Sequence, residues 1–242
     1  MAILAYTNIR TLAGGYELTS LTQEAKVSIE RVALDVTTMA SGGWEASIAG
    51  LERIKANITG FWDANATDGL QYDAIGAASQ DLMILPTGGA DAESGFIASG
   101  MRGTYEVGGK VGDAAPFATE WVGNGIAGRG TVLKNGAITS TSTGTIMQLG
   151  AITAAQTGVF QLQVTAITGT ATPTITVIVQ SAVLVGFGSP TTRASFTART
   201  TVGSQTISLA GPVTDQFWRV SYTVSGTTPS LTTAVVAGII AN

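Results

Sequence analysis

The sequence predicts an all-β protein with one short helix, and three observations support that class. Charged residues make up only 12% of the 242 residues, so the strong helix formers Glu, Lys and Arg are scarce. β-branched residues are common and the chain contains 31 glycines, a composition typical of strands joined by many turns. Several segments alternate apolar and polar residues with a period of two, which indicates strands with one buried face.

The first half of the chain contains four predicted strands: Lys26–Val36, Arg53–Trp62, Phe117–Val122 and Gly130–Leu133. The alternation is clearest in the second of these. Its even-numbered residues from Ile54 to Trp62 are mostly apolar, and its odd-numbered residues from Arg53 to Thr59 are polar. One face of this strand is therefore predicted to be buried.

The one predicted helix spans Asp73–Leu85. Asp73 is a suitable N-cap, Ile75, Ala78 and Leu82 would share a face, and Pro86 would end the helix. Gly76 disfavours it by about 1 kcal/mol relative to alanine.

The second half contains a weak internal repeat that predicts a β-sandwich. Val164–Val177 and Ser221–Val235 each contain two apolar alternations separated by a Gly-Thr turn with a following proline. We interpret each copy as a hairpin. Apolar residues alternate before and after the turns: Phe160, Leu162, Val164 and Ala166; Ile175, Val177 and Val179; Trp218, Val220, Tyr222 and Val224. Further strands are predicted near Arg193–Thr201 and Thr206–Leu209.

Charge is divided unevenly along the chain, which predicts two domains, at residues 1–143 and 144–242. The first segment has a net charge of −6, whereas the second has +2 from three arginines and one acid, Asp215. The turn-rich run Asn135–Gly144 is a natural linker between the two.

Composition argues against an enzyme. The chain has no cysteine and no histidine, so the commonest general base and the commonest metal ligands are missing. Gly123–Gly128 matches a dinucleotide fingerprint, but a strand pattern follows it where a phosphate-binding loop requires a helix, so we predict a glycine-rich turn. Asp63–Ala74 has Asp68 and Ala74 where a calcium loop needs Gly and Glu. We therefore predict no catalytic residues, no cofactor and no metal site.

Hydropathy and charge indicate a protein that buries surface against other subunits. Mean hydropathy is +0.32 and the net charge is −4. No apolar run approaches the ~20 residues of a membrane span, and MAILAYTNIR at the N-terminus does not read as a secretory signal. No basic patch for DNA phosphates is visible, so an acidic surface past which nucleic acid slides is the better interpretation.

Trp44 is the most informative of the four tryptophans. Trp62 and Trp218 lie in strand patterns, which favours burial in a core. Trp44 lies in a glycine-rich loop predicted at about residues 38–50, longer than a hairpin needs and therefore of a kind that is often functional. It is either an interface anchor or a residue that the loop folds back and buries.

The segment from Asp35 to Asp63 resembles the major tail tube proteins of long, non-contractile bacteriophage tails. The matching residues are Asp35, Thr37, Thr38, Gly42, Gly43, Trp44, Gly50, Leu51, Gly60, Phe61, Trp62 and Asp63. The second half is similar to a C-terminal domain of some of those proteins at Gln148–Ile152, Asp215–Val220 and Ser225–Ser230.

The resemblance implies a structural virion protein that assembles into stacked hexameric rings, through which viral DNA passes. Residues 1–143 would be a β-sandwich or barrel forming the tube wall, and residues 144–242 a second β-sandwich projecting outward. Residues of the loop would contact the adjacent ring: Thr38, Gly42, Gly43, Trp44, Glu45 and Gly50. The implied partners are other copies of the chain, a tape measure protein, a tail terminator and distal tail proteins, with assembly in the host cytoplasm. The alternative is a receptor-binding or carbohydrate-binding β-sandwich module of a fibre or cell surface.

Overall fold

The all-β prediction is confirmed by a computed structural model, which describes residues 8–39, 42, 44–63, 72–77 and 80–241. In that part of the chain the regular elements are thirteen strands. They are β1 (Arg10–Ala13), β2 (Tyr16–Glu17), β3 (Thr22–Asp35), β4 (Ser47–Phe61), β5 (Gln80–Leu85), β6 (Ser94–Val107), β7 (Pro116–Ile138), β8 (Ser142–Thr143), β9 (Met147–Gln148), β10 (Gln156–Ala182), β11 (Thr191–Ser195), β12 (Gly203–Ala210) and β13 (Phe217–Ala241). No helix in this part is long and apolar enough to span a membrane.

All named strand pairs are antiparallel, and they form one curled sheet. Its main order is β11-β10-β13-β7-β6-β5-β1-β2. β12 pairs with β10, and both β8 and β9 pair with β13. β4 pairs with β7 on one side and with β3 on the other.

The second half is a β-sandwich built from one long ribbon, β10 paired with β13, that folds back on itself. In this ribbon Phe160 lies opposite Ala237 and Trp218 lies opposite Ser181. Those two positions would be roughly 60 Å apart along a straight ribbon, yet the Phe160 and Trp218 rings are 5.6 Å apart. The two ends of the ribbon therefore face each other as two layers over a shared core.

The predicted hairpins of the repeat are wrong, although the buried faces are largely confirmed. The two copies pair with each other instead of each closing on itself. Gly169 and Gly226 have positive φ angles of 127° and 105° and lie where the register of the ribbon shifts, so both turns form the corner between the layers. Most of the predicted inward residues are buried; Ala166 and Val224 are only partly so.

The predicted helix at Asp73–Leu85 is also wrong. Residues 72–77 form turns, with Ile75 bridging Arg102, and Gln80–Leu85 is strand β5. β5 lies between β1 and β6, and its four apolar residues Leu82–Leu85 are buried. A short apolar run bounded by proline is typical of a strand covered on both faces, and this pattern was mistaken for one face of a helix.

The strands of the first half are longer than predicted. The segments Phe117–Val122 and Gly130–Leu133 belong to a single strand, β7, which also contains the glycine-rich run Gly123–Gly128. The first four residues of the predicted linker, Asn135–Ile138, continue β7 and pair with β13. The prediction that the linker begins at Asn135 is therefore wrong.

β7 and a shared core connect the two halves. Five buried residues from the first half pack in one cluster with Val159, Ala234 and Val236 of the second: Leu12, Met83, Leu85, Ile97 and Val132. Beside it, Ser99 Oγ and Thr206 Oγ1 donate hydrogen bonds to Asp81 Oδ1 at 2.7 and 2.8 Å. The division at residue 143 stays a prediction, and it falls where the halves share both sheet and core.

Candidate assembly surface

β3 and β4 form a two-stranded ribbon whose outer half has no neighbouring strand in the described part of the chain. β4 pairs with β7 only through Lys55–Phe61, and β3 pairs only with β4. We call the remainder, Ile29–Asp35 and Ser47–Ile54, the outer ribbon. Its unpaired edges offer backbone donors and acceptors to another strand.

The outer ribbon closes through hydrogen bonds made by the Asp35–Thr37 motif. The Thr37 N–H donates to Asp35 Oδ1 at 2.8 Å, and the Ala46 N–H donates to Thr37 Oγ1 at 2.9 Å. The Val36 N–H donates to the Ala46 carbonyl at 2.8 Å. The hydrogen bonds from Thr37 lower the pKa of Asp35 below its usual value. These contacts give the loop between β3 and β4 a fixed base.

Both strands of the outer ribbon carry exposed apolar side chains. On β4 the residues at even positions face the core, and Ile54, Ala56 and Ile58 are buried. A register shift between Arg31 and Ala33 interrupts this alternation, and beyond it Ile48 lies opposite Leu34. Ile29, Leu34 and Ile48, which we call the apolar stripe, are 41%, 49% and 54% exposed.

Charged side chains also lie along the ribbon. Glu30 lies directly opposite Arg53 in the register, and Lys55 Nζ lies 3.3 Å from Glu120 Oε1 of β7. Opposite charges facing each other across an antiparallel pair contribute about 0.2–1 kcal/mol. These charged residues therefore suit water, whereas the apolar stripe does not.

The structure places most of the predicted site residues at the tip of the ribbon. Thr38, Gly42, Trp44 and Glu45 are exposed, and Trp44 is 81% exposed. Trp44 is thus not folded back into an intrachain core. Gly43 lies outside the described residues.

The predicted loop boundary at Gly50 is wrong. The loop spans residues 36–46, because Ser47 already belongs to β4 and pairs with Asp35. Gly50 therefore lies in a strand. The assembly role of all six residues stays a prediction.

Trp121, Trp218 and the glycine-rich run have structural roles. Trp218 is buried and its Nε1–H donates to the Gly150 carbonyl at 2.8 Å. Trp121 is buried beneath the Arg102 guanidinium, 4.5 Å from the ring centroid, and burial lowers the pKa of Arg102 to about 10. Gly123–Gly128 lies inside β7, so it is neither a phosphate loop nor the turn we predicted. The Asp63–Ala74 segment lies mostly outside the described residues.

Sequence reasoning missed the apolar stripe. The apolar alternation from Ile54 to Trp62 is interrupted at Glu52, so it gave no periodic signal for Ile48. We also assigned residues 38–50 to a loop, which left Ile48 outside any predicted strand.

Neither the comparison with protein-family models nor the comparison with curated proteins gave a match. Among solved structures, the chain is similar to a chain of the virion of a native gene transfer agent particle. That match has 15% identity and a TM-score of 0.40, and it covers 49% of this chain and 94% of the other. A second is the SPP1 tail tube, with 11% identity, a TM-score of 0.44, and coverage of 53% and 80%.

A third is the SPP1 Dit protein, from a hub adsorption apparatus of phages infecting Gram-positive bacteria. It has 12% identity and a TM-score of 0.35, and the match covers 96% of this chain and 99% of the other. All three are virion or tail components. TM-scores below 0.5 do not establish a shared fold, and we infer no function for this chain from them.

Proposed function

We propose that this chain is the major subunit of a phage tail tube, a structural virion protein that assembles into stacked hexameric rings around a DNA channel. The observation that carries the proposal is the outer ribbon, with two unpaired edges and an exposed apolar stripe. The sequence resemblance at Asp35–Asp63 coincides with this ribbon and supplies the ring number.

An isolated outer ribbon is a poor structure for a monomer. Two-stranded ribbons are marginally stable in water, and open edges invite pairing with other chains. Burying one large apolar side chain contributes about 1.5–3 kcal/mol, so covering the apolar stripe and Trp44 is a substantial driving force. A neighbouring copy that supplies a strand or an apolar surface would stabilise the ribbon.

The form of the assembly follows from the asymmetry of the surface. The outer ribbon exists once per chain, and we propose that it meets a different surface of the next copy. Such heterologous contacts close into rings when the rotation between copies permits it. Contacts from the loop at residues 36–46 to an adjacent ring would then repeat along the tube axis, with Thr38, Gly42, Gly43, Trp44 and Glu45 at the interface.

Charge supports passage of DNA without retention. The first 143 residues carry a net charge of −6, and we propose that acids between Asp35 and Glu120 line the channel and repel phosphates. The second half, with net charge +2, would lie on the outside of the tube. The proposed location is the virion tail.

Negative-stain electron microscopy of the purified chain tests the proposal. Rings or tubes with a central hole are expected. Dispersed monomers that bind a receptor or glycan would contradict it and favour the alternative β-sandwich binding module.

A loop replacement separates the two kinds of contact. Because Val36 and Ala46 are hydrogen-bonded across the base of the loop, residues 37–45 can be replaced by Asn-Gly, which favours a two-residue hairpin turn. We expect this variant to form single rings that do not stack. Normal tubes from the variant would remove the proposed role of the loop.

A further inference from the structure

A polar pocket of about 240 Å³ lies where the chain leaves β7 and enters β8. It is independent of the outer ribbon. Its walls contain the ion pair between Asp91 and Lys134. They also contain hydroxyl groups from the β7–β8 connection, from β8 and from β13. Its lining includes Asp91, Lys134, Ser140, Ser142, Thr143 and Tyr222.

The Tyr222 hydroxyl is the feature of this pocket that needs a partner. Tyr222 is 2% exposed and its ring belongs to the core of the sandwich. Its buried hydroxyl oxygen has no hydrogen-bond partner within the described structure. A Cβ on Gly144, another lining residue, would lie 2.9 Å from that oxygen, so the hydroxyl reaches the pocket wall. Leaving such a group unpaired costs about 1–3 kcal/mol.

The hydroxyl of Tyr222 remains a hydrogen-bond donor at physiological pH. Burial raises the pKa of Tyr222, and the negative charge of Asp91 raises it further. Asp91 faces the same pocket and makes no hydrogen bond to the phenol. A ligand hydroxyl placed between them could accept from Tyr222 and donate to Asp91.

The charges of the pocket select against ions. Asp91 Oδ2 lies 3.7 Å from Lys134 Nζ, and Asp91 Oδ1 accepts the backbone N–H of Asn135 at 3.0 Å. The one cation and the one anion of the lining offset each other, so neither phosphate nor a metal ion gains a net attraction. Ser140, Ser142 and Thr143 add groups that both donate and accept.

We propose that this pocket binds a neutral polyhydroxylated ligand of monosaccharide size. Its volume corresponds to roughly eight water molecules at about 30 Å³ each. The hydroxyl, carboxylate and ammonium groups of the lining can pair with the alternating donors and acceptors of a sugar, whereas an apolar ligand would leave them unpaired. Tyr222 would bind one sugar hydroxyl from below, and Ser142 and Asp91 would bind others at the rim.

The test is a titration of the full chain with D-glucose, D-galactose, N-acetyl-D-glucosamine and, separately, inorganic phosphate. Binding is followed by saturation-transfer NMR and calorimetry. At least one sugar is expected to bind, and phosphate is not. Tyr222→Phe keeps the ring and removes only the hydroxyl, so affinity should fall about tenfold, the effect of a lost hydrogen bond of about 1.4 kcal/mol.

Ser142→Ala provides a second variant in an exposed position, should Tyr222→Phe fold poorly, and it should also weaken binding. Tyr16→Phe, at an exposed tyrosine, is the matched control and should bind as the wild type does. The proposal is overturned if no sugar binds, in which case the pocket holds water only. It is also overturned if phosphate binds instead, or if Tyr222→Phe and Ser142→Ala bind sugar unchanged, which would place the binding site elsewhere. Ring and tube formation by the same variants is a separate readout that reports on the proposed tail function.

Discussion

Gly60 shows how a residue of the family-like motif is required by packing. It lies in β4, and a Cβ at this position would lie 1.8 Å from the carbonyl oxygen of Leu21. That carbonyl accepts the Phe61 N–H at 2.9 Å, so the two backbones cannot separate without losing a hydrogen bond. Glycine is needed here for a close backbone approach.

Gly60→Ala should therefore destabilise the protein by about 1–3 kcal/mol or more, the usual range for overpacking. Gly103→Ala is the matched control, because its Cβ would meet nothing closer than Val122 Cγ2 at 3.5 Å. That control should be neutral or gain up to about 1 kcal/mol. Urea denaturation measures both, and equal stabilities would show that the Leu21 segment shifts freely.

Trp44 tests the interface at the level of one side chain. Because it is 81% exposed, Trp44→Ala should change the free energy of unfolding by no more than about 0.5 kcal/mol. We expect it to reduce ring stacking strongly, as truncation of an aromatic anchor often costs an interface 2 kcal/mol or more. Electron microscopy and thermal unfolding give the two readouts. Normal tubes would exclude Trp44 as an anchor.

Asp215 makes stability depend on pH. Arg193 Nη2 and Ser181 Oγ donate to Asp215 Oδ2 at 2.8 and 2.6 Å, and these hydrogen bonds, led by that from Arg193, lower its pKa against the effect of burial. A lowered folded-state pKa contributes stability above the unfolded carboxyl pKa of about 3.9. That contribution is lost as the pH falls through the folded-state value.

Asp215→Asn should cost about 1.5–3 kcal/mol at pH 7, the range for hydrogen bonds to charged groups. The difference from wild type should shrink as the pH falls below about 4. Asp113→Asn, at an exposed acid in a loop, is the control and should be as stable as the wild type at pH 7. A difference that stays constant on acidification would rule out the linkage to Asp215.

At the scale of elements, the apolar stripe is the part of the ribbon that a neighbouring copy is expected to cover. Leu34→Ser should leave the fold intact, because Leu34 is half exposed, and should prevent ring closure. Leu184→Ser is the matched control, since Leu184 is 73% exposed and lies in the β10–β11 loop, away from the ribbon in sequence. Sedimentation and electron microscopy compare the two. If both variants assemble equally well, the stripe is not an interface.

Sequence patterns correctly predicted strands that have one buried face. They did not identify strands that are buried on both faces. The period of two from Ile54 to Trp62 identified β4, because its odd positions carry polar groups. Leu82–Leu85 has no polar position, so periodicity could not distinguish a covered strand from a helix. Gly169 and Gly226 were predicted to lie in turns, and both have positive φ angles. Whether each turn closed a hairpin or formed a corner depended on pairing between segments about 57 residues apart, which local chemistry does not encode.

At the scale of the whole molecule, the contacts between halves argue for one cooperative unit. Gln161 and Gln163 occupy the face of β10 that sequence reasoning left for solvent, and both are buried. Gln163 Nε2 donates to the Asp81 carbonyl at 3.0 Å, and Gln161 Nε2 donates to the Ala98 carbonyl at 3.2 Å. Polar side chains can be buried here because the first half supplies their partners. The charge division between the halves therefore does not require separate folding.

Unfolding should occur in a single transition, and two tryptophan reporters can test this. One variant retains only Trp121 of the first half and the other only Trp218 of the second, with phenylalanine at the other three tryptophans. Their urea transitions should coincide.

Val236→Ala, in the shared core, should lower stability by about 2 kcal/mol, a value typical of losing buried methyl groups. The midpoint should then shift equally for both reporters, because the cluster around Val236 contains Leu85 and Val132 of the first half. A shift seen by Trp218 alone would mean that residues 144–242 unfold independently, as the two-domain division predicts.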